Sequence, residues 1–461
     1  MKKNVTGSEV SLLALGGYGK LIANMTALIY DKSIVVIDAG KGMEIPEKWK
    51  YLSSKNLSKL TPTFAKMKYL DEYLKNGYQI KGVIITHPHG DHIAGIQQFY
   101  KYLSSKNVDK TLIPLYASKF TMEFGKKSIP GWNTYSGVVI KEDLDYEIEP
   151  GVCTFNSFFL VHSSYHSAAL NFNVKGKKIL FLPDHKRDFE CYMGPSQHHV
   201  DKKLSELFDT DLDCLVLEST TVDAAKEKSI SNKTLPEAAV YHSIRNLICR
   251  ESDAKNNIFC STYSTNPSRL KAIIDAGALV KRTVAIYGRG MWNGFSACVN
   301  AGLFHKDQVK HVVKLEDLSV LNGKEKFIVL TTGHMGESSA KLPKLLRGEE
   351  AYNWNRKDLV ILASSTIPKE SARYCRATLI TQIMSKRIDY YTGEDTPGLH
   401  CTGHIGHPDF VKYVLWAKNC KKVILNHGDI ESTLMIYPLL QSMNVSTHKY
   451  VTLKDGEVEF I

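Results

Sequence analysis

With 461 residues, 43% of them hydrophobic and 23% charged, the chain can fill two or three ordinary cores at roughly 100–200 residues per domain, which excludes a fibrous or disordered class. A formal net charge of +11 favours an anionic partner, nucleic acid before others, although charge alone specifies none. The nine cysteines show no C-x-x-C pair or regular spacing and read as reduced thiols of a cytoplasmic protein. The apolar run Leu12-Leu13-Ala14-Leu15 is too short for a signal segment or a membrane span, so no membrane association is expected.

In chain order, Val10 to Leu15, Asn24 to Tyr30 and Ser33 to Ile37 alternate and turn like antiparallel strands, with the pair Gly16-Gly17 after the first. Between Tyr51 and Lys75 the spacing of Leu52, Leu57, Phe64, Met67, Leu70 and Leu74 is loosely helical. The apolar strand Val83-Ile84-Ile85 then runs into Thr86-His87-Pro88-His89-Gly90-Asp91-His92. This turn packs three imidazoles and a carboxylate into six positions, and such crowding is electrostatically poor without a cation to collect it. His87 and His89 alternate while Asp91 and His92 follow at once, so the two pairs can face two neighbouring ions. Ile93, Ile96, Tyr100 and Leu103 recur at helical spacing behind it, which puts the turn between a strand and a helix.

The arrangement recurs four times: Ile34 to Ile37 before Asp38, Ile179 to Leu182 before Asp184, Leu215 to Leu217 before Glu218, and Val423 to Leu425 before Asn426-His427. Strands of a sheet that end on one edge deliver those side chains to one place, and the expectation is a binuclear metal centre. From Thr221 to about Ile388 the texture becomes α/β. Buried-strand runs at Asn257 to Cys260, Thr283 to Tyr287, Phe327 to Leu330 and Leu359 to Leu362 mostly alternate with helical stretches, as in a doubly wound domain. Their small-residue turns, Ser261 to Asn266, Gly288-Arg289-Gly290, Thr331 to Gly336 and Ser364-Ser365-Thr366, suit phosphate oxygens at the carboxyl ends of a parallel sheet. The expected division is 1–220 and 389–461 as two parts of one metal domain, with 221–388 inserted.

The turn His87-Pro88-His89-Gly90-Asp91-His92 resembles the H-x-H-x-D-H signature of the metallo-β-lactamase fold, and the later segments resemble the β-CASP nucleases, closest to ribonuclease J. The similarity runs through Asp38-Ala39-Gly40, His162-Ser163, Leu182-Pro183-Asp184, Glu218-Ser219-Thr220, His400-Cys401-Thr402-Gly403-His404 and Leu425-Asn426-His427-Gly428, in the family's order. In the insert, Thr262 to Asn266, Gly288 to Met291, Thr332 to Glu337 and Ser364 to Pro368 are similar to further segments of that family.

The resemblance implies a metallo-β-lactamase αββα sandwich with an inserted doubly wound α/β β-CASP domain. It implies His87, His89 and His162 on one divalent ion, Asp91, His92 and His427 on a second, Asp184 bridging them, and Asp38 orienting this shell without ligating. Zn²⁺ is expected first, with Mn²⁺ or Mg²⁺ as alternatives. Asp91, Glu218 and His404 are implied for catalysis, with His404 protonating the leaving group or touching the phosphate. His400, Thr402, Gly403, Ser364 and Ser365 are implied for phosphate binding.

Three positions depart from the family. His166 rivals His162, though the spacing to Asp184 favours His162; no acidic residue follows Gly19; and His334 stands where a small hydroxyl residue is usual. Only a short tail follows His427, so the family's separate C-terminal domain is not expected, while a homodimer is. The implied activity is hydrolysis of single-stranded RNA by a metal-bridging hydroxide, as a 5′-to-3′ exonuclease, an endonuclease or both, with a 5′ pocket that prefers a monophosphate to a triphosphate. The alternatives are a DNA nuclease, a small-molecule hydrolase of an ester, thioester, lactam or phosphonate, and a binding protein with a dead site.

Overall fold

The computed structural model describes residues 9–44, 61–221, 235–366 and 370–461. Two seven-stranded sheets stack face to face. The first runs Val458–Phe460, Ser11–Gly16, Met25–Tyr30, Ser33–Ile37, Gln79–Ile85, Pro114–Ser118, Ser136–Ile140 in spatial order. The second runs Tyr450–Thr452, Lys422–Asn426, Cys214–Glu218, Lys177–Leu182, Ser167–Val174, Cys153–Leu160, Tyr146–Glu149.

Strand periodicity explains the layering. Along Ser33–Ile37, Val35 and Ile37 enter the core between the two sheets, with Phe155, Leu170, Phe172 and Val216 opposite. Ile34 and Val36 point the other way, against Phe99, Tyr100 and Leu103 of the helix Ile96–Ser105. The second sheet is covered alike: Leu180, Leu182 and Leu215 pack on Leu204 of Gln197–Phe208 and on Phe410 and Tyr413 of His407–Trp416. The result is the expected αββα sandwich.

The inserted sheet is parallel throughout, in the order Val312–Leu315, Val284–Tyr287, Ile328–Thr331, Ile258–Ser261, Leu359–Leu362, Asp389–Thr392. Ile258 and Cys260 face one core and Phe259 the opposite one. Helices cover both faces, which is why these strands read as unbroken apolar runs. Phe120, from the helix Lys119–Ser128 of the first sheet's outer layer, enters the insert's core, and Asn293 Nδ2 donates to Lys127 O at 2.8 Å.

Several local expectations change. The loosely helical reading of 51–75 gives way to a strand Thr61–Phe64 paired with Lys41–Glu44, a 3₁₀ turn Met67–Leu70 and a short helix Asp71–Lys75. The Thr-Pro-Thr run favours extended backbone over helix, and Leu52 and Leu57 lie outside the described residues, as do Ile367 and Pro368. The strand ends that carry ligand residues belong to two facing sheets rather than one, so the site forms where both sheets terminate. Asp389–Thr392, just past position 388, is an edge strand of the inserted sheet.

Candidate metal centre

Asp38 and His87 follow two adjacent parallel strands of the first sheet, and Asp184, Glu218 and His427 follow or end three adjacent parallel strands of the second. His89 is the N-cap of the helical turn Gly90–Ile93, which carries Asp91 and His92. Gly40 is required here by close approach, since a Cβ on it would lie 1.7 Å from the Asp91 carbonyl oxygen. Asp38 and His427 adopt φ of 61° and 50°, in the left-handed region that side chains enter at a cost. His427 is held there by its N–H donating to Gly17 O at 2.7 Å.

Three groups of donor atoms result, each with its atoms within 4.8 Å of one another: His87, His89, His162 and Asp184; Asp91, His92, Asp184 and His427; and Asp184, Glu218, His404 and His427. Asp184 belongs to all three. Its Oδ2 lies 3.7 Å from His87 Nε2, 3.3 Å from His92 Nε2, 3.8 Å from His162 Nε2 and 3.3 Å from His427 Nε2.

The remaining nitrogen of most of these rings is already engaged. His92 Nδ1 donates to Asp38 Oδ2 at 2.7 Å, and His162 Nδ1 donates to Gly403 O at 2.5 Å. The Thr220 hydroxyl donates to His427 O and accepts from His427 Nδ1, both at 2.8 Å. Thr86 Oγ1 donates to Asp38 and lies 3.1 Å from His87 Nδ1. These bonds fix the tautomers that aim Nε2 lone pairs inward. His87 Nε2 and Asp184 Oδ1 are buried without a hydrogen-bond partner, and His89 Nδ1 faces His162 Nε2 at 3.1 Å. Buried lone pairs that converge without donors fit a cation.

The electrostatics agree. Burial pulls His87 and His162 well below the usual imidazole range and His89 to about 4, which keeps these rings in the neutral, ligating form. Burial also opposes ionisation of Asp91 and Asp184, but the surrounding imidazoles, His92 and His427 foremost, hold both carboxyls below their ordinary values. His92 is raised, against burial, by Asp184, Asp38 and Asp91. A divalent cation would take over the charge that this proton balances.

Asp38 accepts from Thr86 N at 2.8 Å and from His92 Nδ1, and stands outside the donor groups. His404 Nδ1 donates to Glu218 Oε2 at 2.7 Å. Burial lowers its pKa, but Glu218 and Asp184 outweigh this and push it up to about 9. His166 stands apart from the donor groups: its ring stacks between Phe159 at 4.0 Å and Tyr165 at 3.7 Å, and burial pulls it down to about 3. Gly403 touches the centre through its carbonyl, and a Cβ on it would meet Ser163 and His162 at 2.7–2.9 Å. Thr402 Oγ1 accepts from His404 N at 3.2 Å. His400 lies further out, 3.1 Å from a guanidinium, while Ser364 is buried and Ser365 half-buried at the end of their strand.

Sequence reasoning missed four supports. Asn24 Nδ2 lies 3.1 Å from His92 Nε2 and 3.2 Å from Asp91 O; one amide before an apolar strand carries no signal of its own. Arg269, fully buried, donates to Glu237 Oε1, Ala363 O and Cys401 O, each at 3.1 Å, and to His400 Nδ1. Lys186 Nζ sits 2.7 Å from Asp188 and 3.9 Å from Glu237. Arg376 donates to His334 O, and to Ser364 O at 2.9 Å. Arg269 and Lys186 tie the insert to the metal domain's loops, and Arg376 joins two turns within the insert, across sequence separations that no local pattern announces.

Comparison with known proteins agrees with this geometry. A model described as a β-lactamase superfamily domain matches residues 35–243, and one described as the ribonuclease J β-CASP domain matches residues 255–378. The chain is 22% identical to a ribonuclease J of Methanocaldococcus jannaschii over 92% of each chain, and 22% identical to one of Pyrococcus abyssi over 91% of this chain and 90% of that one. It is 24% identical to ribonuclease J 1 of Streptococcus pyogenes over 98% of this chain and 74% of the relative. The crystal structure of an Enterococcus faecalis protein of unknown function shares the fold, with a TM-score of 0.60 at 12% identity over 98% of this chain and 100% of that one. Ordered motifs, donor groups and paired domain matches together show a metallo-β-lactamase-fold chain with an inserted β-CASP domain that is similar to those of ribonuclease J.

Proposed function

We propose that the protein is a metal-dependent ribonuclease that hydrolyses phosphodiester bonds of single-stranded RNA. The observation that carries this is Asp184 shared among donor groups whose rings are already fixed with lone pairs inward. His87, His89 and His162 would hold one divalent ion, Asp91, His92 and His427 another, and Asp184 both. Such a pair of ions supplies an activated water and neutralises charge on the reacting phosphate. Zn²⁺ suits the nitrogen-rich first set best, with Mn²⁺ or Mg²⁺ as alternatives.

The chain's own groups do the rest. Glu218 holds His404 through Nδ1, which leaves Nε2 to hydrogen-bond a phosphate oxygen or give a proton to the departing ribose oxygen. Asp38 keeps His92 oriented, and the Gly403 carbonyl does the same for His162. His400, Thr402, Gly403, Ser364 and Ser365 border the strand's path between the two domains. Exonucleolytic and endonucleolytic cutting are both compatible with this path. The domain division at about 221 and 388 and a homodimer belong to the same proposal. Among the described residues no helix is long and apolar enough to cross a membrane, and all nine cysteines are free, which supports a reducing, cytoplasmic setting.

The test is one assay of the metal-loaded protein on single-stranded RNA, matched DNA and a generic ester. RNA cleavage that outruns the other two supports the proposal. Turnover of the ester alone refutes it, and DNA cleaved faster than RNA makes the enzyme a DNA nuclease.

A further inference from the structure

The outward face of the helix Ile96–Ser105 carries groups that the metal centre does not use. Gln97, Tyr100, Lys101 and Ser104 fall at i, i+3, i+4 and i+7 and share one side of the helix, beside the stripe Ile96, Phe99 and Leu103 that packs on the first sheet. They line a cavity of about 290 Å³, bounded also by Lys110 of the 3₁₀ turn Lys110–Leu112 and by Pro130 and Tyr135 from the segment after Lys119–Ser128. None of these residues belongs to the donor groups around Asp184.

Three of the lining groups lack polar partners among the described residues. Tyr100 is 1% exposed, and its hydroxyl is shut off from solvent without a hydrogen-bond partner. Burial, with Tyr135 adding to it, pushes that phenol up, so it stays neutral and can donate. Lys101 and Lys110 make no ion pair among the described residues. Asp109, the acid beside Lys110 in the chain, accepts instead from Thr111 N at 2.9 Å and Thr111 Oγ1 at 2.7 Å, and no carboxylate lines the cavity. Lys110 Nζ stands 5.9 Å from the centre of the Tyr135 ring, which itself stacks on Tyr100 at 4.1 Å and 18°.

A buried donor without an acceptor calls for one, and two unpaired ammonium groups beside it call for negative charge. A phosphoryl group, made of acceptor oxygens and anionic, satisfies all three. The cavity is close to the lower end of the roughly 300–1,000 Å³ that small-molecule sites occupy, which is far more than a lone phosphate fills. The rest of an occupant meets the Tyr135 ring and Pro130, and such walls favour a flat, partly apolar body.

Building on the ribonuclease reading, which supplies phosphorylated nucleosides as products, we infer that this cavity binds a nucleoside monophosphate away from the metal centre, with its phosphate at Lys101, Lys110 and the Tyr100 hydroxyl and its base against Tyr135 and Pro130. A released product is thereby held without occupying the metal-binding residues.

The experiment photolabels the metal-loaded protein with an azido derivative of AMP and maps the labelled peptides by mass spectrometry. Equilibrium dialysis of radiolabelled AMP accompanies it, for wild type, Tyr100→Phe and the double variant Lys101→Ala/Lys110→Ala. Wild type should be labelled within 97–110 or 130–135. The double variant should lose that label and bind AMP there about tenfold or more weakly, as expected for charge-assisted bonds, while Tyr100→Phe, which keeps the ring, should weaken binding about threefold to tenfold. Retained RNA cleavage shows that both variants fold. Label confined to peptides of the metal centre, or AMP binding by the double variant equal to that of wild type, overturns the assignment. Inorganic phosphate that competes as well as AMP overturns the nucleotide, and adenosine that competes as well as AMP overturns the phosphate contact. A labelled cavity in a protein that cuts no RNA refutes the ribonuclease reading instead and leaves the site standing.

Discussion

Removing both partners of the buried pair Glu237–Arg269 should destabilise the protein much less than the two single removals combined. Arg269 is fully buried and its Nε donates to Glu237 Oε1 at 3.1 Å, while Glu237 also accepts from Cys401 Sγ at 2.9 Å. Burial opposes the Glu237 charge, but Arg269 and Lys186 outweigh it and bring the pKa down from 4.5 to about 2. At 1.36 kcal/mol per unit, that shift amounts to roughly 3 kcal/mol favouring the ionised carboxylate in the fold. Glu237→Gln or Arg269→Met alone should therefore cost about 3–5 kcal/mol, because each strands a buried group. The double variant should lose much less than the two singles combined. Urea unfolding followed by tryptophan fluorescence reads this as midpoint shifts of about 1 M or more for each single change. Since Arg269 also holds Cys401 O and His400 Nδ1, its loss should lower RNA cleavage more than loss of Glu237 does. Losses that simply add in the double variant would show that the pair is not coupled and refute the reasoning.

The same carboxylate predicts the acid limb. Its folded pKa is depressed, so its contribution is fully present above pH 4.5 and disappears as pH falls toward 2; Glu237→Gln should flatten stability over that window, which acid titration monitored by circular dichroism checks. His162→Ala should weaken metal binding at least tenfold and His166→Ala far less, as measured by equilibrium dialysis with Zn²⁺; the reverse order would make His166 the ligand. Asp38→Asn, which preserves the left-handed backbone that asparagine tolerates, should cost about 10–100-fold in metal affinity through the His92 hydrogen bond, and unchanged affinity would remove Asp38 from that role. Metal analysis should find close to two ions per chain, and prolonged dialysis against chelator should abolish hydrolysis; full activity after it would sink the metal centre. RNA binding by Asp91→Ala should fall with salt at a log–log slope of about −0.7 per neutralised phosphate, whereas a salt-independent affinity would point to a small-molecule pocket.

The sequence by itself determined the chemistry of the centre. The cluster His87 to His92 and the acids at apolar strand ends are local patterns, because a strand that ends in a ligand delivers it at a sheet edge whatever surrounds it. The doubly wound insert was equally legible, since a parallel sheet covered on both faces leaves unbroken apolar runs. Tertiary structure alone decided the rest. That the His162 ring and not the His166 ring joins the donor groups depends on which one the Gly403 carbonyl meets and which one slips between Phe159 and Tyr165. That Asp38 and Asp184 come from different sheets follows from face-to-face packing, to which strand patterns within each sheet are blind. Arg269, Glu237, Lys186 and Arg376 were invisible because a buried charge is tolerated only where distant partners happen to meet it, and sequence spacing records no such meeting.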